Sequence, residues 1–163
     1  MKLPRRRQVP ESVRSVSLLP GERRLAWGLT ADGAPLVATP TRLLIPGAES
    51  LDWIMVEKAA WRSPVLTVTE GAEVEGAGRE HSFTINEDAA LAEVVRARVT
   101  SSVAWSDRRR LDPHGAVRVV GRKVPGEDAL LWQLVFDRQT DLSDPLVRAQ
   151  ASAFLDAVRR TIG

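Results

Sequence analysis

The chain contains no cysteine and no tyrosine, and only two of its 163 residues are histidine. Without cysteine there is no thiol nucleophile, thiolate metal site or disulfide scaffold, and without tyrosine there is no phenolic acid. The two imidazoles stand apart. His81 shares a predicted strand with Phe83, and His114 lies in a Pro-His-Gly turn; neither has a second histidine at helical spacing or a zinc-motif glutamate. A Gly-x-Ser-x-Gly nucleophile elbow is missing too. No catalytic residue, metal or cofactor is therefore expected, and a hydrolase-like enzyme with an unrecognised site is kept as a competing reading.

Long hydrophobic runs are also missing. Leu25–Leu29 and Leu43–Ile45 are short and interrupted, against the roughly 18 consecutive apolar residues that a membrane-spanning helix needs. At the N-terminus, Lys2 and Arg5-Arg6-Arg7 imitate the basic start of a secretory signal, but Gln8-Val9-Pro10-Glu11-Ser12 stands where its apolar stretch should follow. A soluble, cytoplasmic protein without a transmembrane segment is the expectation. Lysine is scarce: Lys2, Lys58 and Lys123 are the only three among 23 basic residues. The remaining arginines read as the coding bias of a GC-rich bacterial genome.

What is present fits a folded chain. A hydrophobic fraction of 44% and a charged fraction of 27% match a globular protein whose length suits one core, or two small lobes. The net charge of +2 is too small to imply a polyanionic partner. Its distribution is uneven, however. Residues 1–24 carry seven basic and two acidic side chains, residues 49–93 three and ten, and residues 94–123 eight and two. Oppositely charged faces attracting each other within the fold explain this pattern, and a docking surface is the alternative.

Strand signals dominate the first two thirds. Leu18-Leu19-Pro20-Gly21-Glu22 makes an opening turn, after which Leu25, Trp27 and Leu29 alternate with smaller or polar residues. Asp32-Gly33 is a hairpin signal, because glycine accepts the positive φ of a tight turn. Leu36–Thr39 and Arg42–Ile45 are two short strands parted by Pro40 and closed by Pro46-Gly47. A longer strand is expected from Leu51 to about Trp61, with a bulge or bend at Glu57–Ala60. Val65–Thr69 and His81–Ile85 continue the sheet around a glycine-rich acidic loop, Glu70–Glu80, expected to be mobile. Gly76-Ala77-Gly78 within it lacks the spacing of a phosphate loop, and its carboxylates would repel phosphate.

A helix should follow, capped by Asn86, with Glu87 and Asp88 at its positive end and Leu91, Val94, Val95 and Val99 on one face, extended by Val103. Arg108–Gly115 is predicted to be a linker. Beyond it, Val117–Val120 and Leu130–Phe136 are strands. Asp144 and Pro145 then open a terminal helix with an apolar face of Val147, Ala151, Phe154, Leu155, Val158 and Ile162. The expected division is a mobile basic tail at 1–12, a β-rich unit with its helix at 13–106, and a linker with a β-β-α lobe at 107–163.

The order of six short antiparallel strands and a helix resembles the bacterial pleckstrin-homology-like domains, which share a partly open β-barrel with the GRAM and pleckstrin-homology families. The resemblance is carried by Leu19-Pro20-Gly21-Glu22-Arg23, Leu36-Val37-Ala38-Thr39, Thr41-Arg42-Leu43-Leu44, Asp52-Trp53 before Ile54, Trp61, and Val65-Leu66-Thr67-Val68. It covers roughly residues 15–105 and is closest to small proteins of GC-rich bacteria. The resemblance implies an α+β fold, an antiparallel PH-like partly open β-barrel capped by a helix, here with a C-terminal β-β-α element. It further implies a module that binds phosphoinositides, peptides or other proteins. Ala31-Asp32-Gly33-Ala34 carries no positive charge where the lipid-binding members have basic residues, so a phosphoinositide is not expected.

The function expected is therefore a non-enzymatic binding or adaptor module, with an unknown protein as partner and a homodimer through a strand edge as a further option. Nucleic acid contacted through Arg5–Arg7 and Arg108–Arg110 is the second reading, weakened by the lack of aromatic platforms apart from Trp105. Trp27, Trp53 and Trp132 are expected to pack in the core. Trp61 and Trp105 lie near element ends, where an exposed aromatic could anchor a partner. Trp61, Arg62, Trp105, Arg108, Arg109 and Arg110 are accordingly the candidate binding residues.

Overall fold

A computed structural model describes residues 8–47, 50–71, 79–86 and 89–162. The chain is α+β, with three antiparallel sheets and three helices among these residues. A single helical turn, α1 (Glu11–Arg14), comes first and buries Val13 completely. The Arg24 guanidinium holds this turn in place by donating to the carbonyls of Val13, Arg14 and Val16. Helix α1 thus starts within the segment 1–12 expected to be a mobile tail, of which residues 1–7 lie outside the described residues.

The first sheet runs β1 (Ala26–Leu29), β2 (Pro35–Ala38), β3 (Arg42–Leu44) and β4 (Leu51–Asp52) in sequence order. Gly33 closes the β1–β2 hairpin at φ +85°, a backbone region that side chains with a Cβ rarely adopt. The single strand expected over 51–61 is interrupted. Trp53–Met55 form a 3-10 turn, and the chain resumes as β5 (Val56–Arg62) with a bulge between Val56 and Lys58. Burial explains the break: Trp53 is 3% exposed and its indole Nε1 donates to the Thr39 carbonyl at 2.8 Å, which the alternation of a straight strand would not permit.

The second sheet comprises β5, β6 (Val65–Glu70) and β7 (Glu80–Thr84). The acidic loop expected between β6 and β7 falls largely on residues 72–78, outside the described residues. The two sheets meet at one corner, where Thr30 bridges Ile85, Ala31 N donates to Thr84 O, and Asn86 N donates to Leu29 O. Helix α2 (Ala89–Ser101) packs against β1, β2 and β5. Its Leu91, Ala92, Val95 and Val99 join Leu36, Leu43, Trp53, Leu66 and Ile85 in one hydrophobic cluster. The proposed acidic start of this helix, Glu87 and Asp88, lies outside the described residues.

The remainder departs from the β-β-α expectation. Val103 does not extend α2, and Arg108–Arg110 are not in a linker: both belong to an eight-residue strand, β8 (Val103–Arg110). It pairs with β9 (Ala116–Lys123), which pairs with β10 (Leu130–Phe136), giving the order β10-β9-β8. Three successive arginines conceal this strand because its solvent edge needs no apolar alternation; the ladder to β9 is what holds it. Helix α3 (Pro145–Ile162) begins where Asp144 Oδ1 accepts the Leu146 N–H at 2.8 Å. Val147, Ala151, Phe154 and Val158 are buried against Val117, Val119 and Leu134 in a second cluster, while Ile162, expected on that face, is exposed. No helix among the described residues is long and apolar enough to cross a membrane.

Candidate functional site

Side chains alternate across the third sheet, so the β8–β9 register sorts its residues into two faces. Trp105, Asp107 and Arg109 lie opposite Gly121, Val119 and Val117 and look toward α3. Ser106, Arg108 and Arg110 lie opposite Val120, Arg118 and Ala116 on the other face. The arginine triplet is thereby split. Arg109 folds back with its guanidinium 4.1 Å from the centre of the Phe154 ring, a cation–π contact within this chain. Arg108 and Arg110 point the opposite way.

Trp105 is half-buried and meets Trp132 edge-on, with centroids 5.9 Å apart and planes at 68°. Gly121 makes room for this pair, since a Cβ there would lie 2.9 Å from Trp132 Cζ3. Trp61 is likewise half-buried and packs against the first cluster, because its place in β5 directs it inward. Both tryptophans are thus partly accessible rather than fully exposed. Arg62 is exposed at the β5–β6 hairpin, in a different sheet from the arginines of β8. The six candidate residues are thus divided between β5 of the second sheet and β8 of the third.

What the fold does assemble is an arginine face that includes a residue missed in the sequence. Arg108 stands directly opposite Arg118 across β8 and β9, and Arg110 follows two positions along; all three are exposed. Like charges in direct register destabilise a sheet. Arg108 has an acid partner, Asp137, whereas Arg110 and Arg118 make no side-chain hydrogen bond or ion pair among the described residues. A groove of about 400 Å³ continues the face at its Arg110 end, lined by Asp112, His114, Asp137 and Gln139 besides the arginines. Only the β8 pairing reveals Arg118 as a member, and no sequence signal marked it.

The inner end of the same face is closed by α2, β5 and the 3-10 turn before β5. Arg122, 2% exposed, donates from Nε to Gln133 Oε1 at 2.9 Å, from Nη1 to the Val99 carbonyl at 3.0 Å and to Ser102 Oγ, and from Nη2 to the Glu57 carbonyl at 3.3 Å. Burial pushes its pKa down from the ordinary value, with the charge of Glu57 opposing that shift and Arg118 adding to it. Gln133 in turn donates to the Ile54 carbonyl at 2.9 Å.

Other polar clusters have local explanations. His81 Nε2 lies 3.0 Å from Glu70 Oε2 on neighbouring strands. The Asp32 carboxylate accepts the Thr30 hydroxyl, which holds its pKa below the ordinary value and occupies the turn where a lipid-binding basic cluster had been sought. Among the described residues no group of three acids or histidines could hold a metal ion. Comparison of the chain with protein-family models, curated proteins and solved structures finds no match to any of them.

Proposed function

We propose that this chain is a non-enzymatic binding module, a PH-like partly open barrel extended by the β8–β10 and α3 lobe, which recognises an acidic surface of a partner protein. The observation that carries the reading is the register of Arg108 with Arg118, with Arg110 beside them. Like charges in register cost the fold stability, and the Arg108–Asp137 pair offsets that cost only in part, as expected of a surface kept for a ligand. The barrel reading is supported by a four-stranded sheet, a three-stranded sheet and a helix following in that order, with a corner joining the sheets.

A protein partner is favoured over a nucleic acid by the rest of the surface. Trp105, the one tryptophan of β8, lies on the opposite face of the sheet from Arg108 and Arg110 and offers them no stacking platform for bases. The test is binding of the immobilised chain to acidic, neutral and basic peptides and to DNA and RNA oligonucleotides. Retention of acidic peptides that is lost in the Arg110→Glu/Arg118→Glu variant supports the reading. Preferential retention of oligonucleotides, or indifference to peptide charge, overturns it.

A further inference from the structure

We infer that β8 is a docking edge, to which an extended acidic segment of the partner adds as a further strand with carboxylates at alternate positions beside Arg108 and Arg110. This rests on the binding-module reading and specifies how the partner is held.

The edge is open and long. Seven of the eight residues of β8 are exposed, and among the described residues no strand lies beyond it. The opposite edge, β10, has no exposed residue. The direction of the backbone groups follows from the ladder. Leu111 N donates to Gly115 O at 3.0 Å, continuing the register in which Arg110 pairs with Ala116. In an antiparallel pair the bonded positions alternate, so Arg109 and Asp107 address β9 while Ser106, Arg108 and Arg110 turn their N–H and C=O groups outward. The Arg108 N–H accordingly finds no ladder acceptor and donates to the Asp107 carboxylate at 2.8 Å. An added strand would offer carbonyls there.

Charge selects the occupant. Arg108 and Arg110 are two residues apart on one face, roughly 7 Å along the strand, which is also the spacing of alternate side chains on a paired strand. Carboxylates at those positions would meet Arg110, which has no ion-pair partner among the described residues, and share Arg108 with Asp137. A second copy of this chain pairing antiparallel through β8, with Arg108 or Arg109 on the two-fold axis, would instead set arginine against arginine. Arginines on a free edge also discourage indiscriminate strand pairing, so an acidic strand is the one they admit.

The experiment uses the full chain and a probe peptide of alternating glutamate and threonine, about ten residues long so that it spans β8. Its affinity is compared with a version carrying glutamine for glutamate, and with two versions N-methylated on either the glutamate or the threonine amides. Methylation changes no charge and leaves the protein untouched. The expected result is a loss of about tenfold or more with glutamine, and a comparable loss from one methylated set but not the other. A matching loss in Ser106→Pro, which removes one outward N–H and no charge, is expected as well. Equal affinity for both methylated peptides would overturn strand addition while leaving the binding module standing. No preference for the glutamate peptide would overturn both. A chain that dimerises without peptide and becomes monomeric in Ser106→Pro would assign the edge to a second copy, against the inference.

Discussion

The buried guanidinium of Arg122 donates to Gln133 Oε1 at 2.9 Å, and through this pair the β8–β10 sheet is tied to α2, to β5 and to the turn that precedes β5. The remaining Arg122 donors reach the carbonyls of Val99, near the C-terminus of α2, and of Glu57 on β5; Gln133 reaches the carbonyl of Ile54. A cation at a helix C-terminus is favourably placed, and no buried side-chain polar atom among the described residues lacks a partner. The contact joins two hydrophobic clusters that share no residue.

Truncating this pair should therefore uncouple more than one strand. Arg122→Ala strands the Gln133 amide and several carbonyls, and is expected to lower the unfolding free energy by about 3 kcal/mol or more. Arg122→Met, which keeps the volume, should cost less. Urea unfolding of both, with a double-mutant cycle to Gln133→Leu, checks this; a coupling energy near zero would show that the two residues act separately.

The Glu22–Arg42 pair sets a pH dependence. Both guanidinium–carboxylate bonds measure 2.9 Å, and Arg42 holds the Glu22 pKa down from 4.5 to about 2. A carboxylate with a lowered folded pKa stabilises fully above its unfolded pKa and loses that contribution as the pH falls through the folded one. Between about pH 4.5 and 2 the wild type should lose on the order of 2–3 kcal/mol from this source. Glu22→Gln should be less stable at pH 7 and show a shallower acid transition, followed by circular dichroism.

Substituting Arg118 separates stability from binding. Arg118→Glu replaces a like-charge cross-strand pair with an opposite one, and should raise stability by about 0.2–1 kcal/mol while weakening binding of an acidic peptide. Thermal unfolding and a binding titration on the same sample measure both. A variant that gains stability and keeps full affinity would remove Arg118 from the recognition face.

Gly121→Ala probes the tryptophan pair. The new methyl would press on Trp132 and on Leu130 Cδ1, 3.3 Å away, and is expected to cost about 1–3 kcal/mol. Near-ultraviolet circular dichroism should lose intensity as Trp105 and Trp132 leave their edge-on geometry.

Local chemistry was enough to locate the Asp32-Gly33 hairpin, the short proline-parted strands of the first sheet, the amphipathic faces of α2 and α3, and Asp144 as the cap of the last helix. Each depends on neighbours in sequence: a turn needs its glycine, a helix its periodicity and cap. The acid–base inventory was legible too, since residue types that are missing cannot be supplied by folding. Strand β8 was not, because Arg108-Arg109-Arg110 carries no apolar period and is extended only by pairing with β9. The same pairing set Arg109 on Phe154 and Arg108 against Arg118, and tertiary packing left Trp61 and Trp105 half-buried and enclosed Arg122 among groups distant in sequence. Composition and local pattern determined an α+β chain of hairpins and helices with a divided charge. The tertiary structure alone decided which arginines share a face and which strand edge stays open, because register joins residues that the sequence keeps apart.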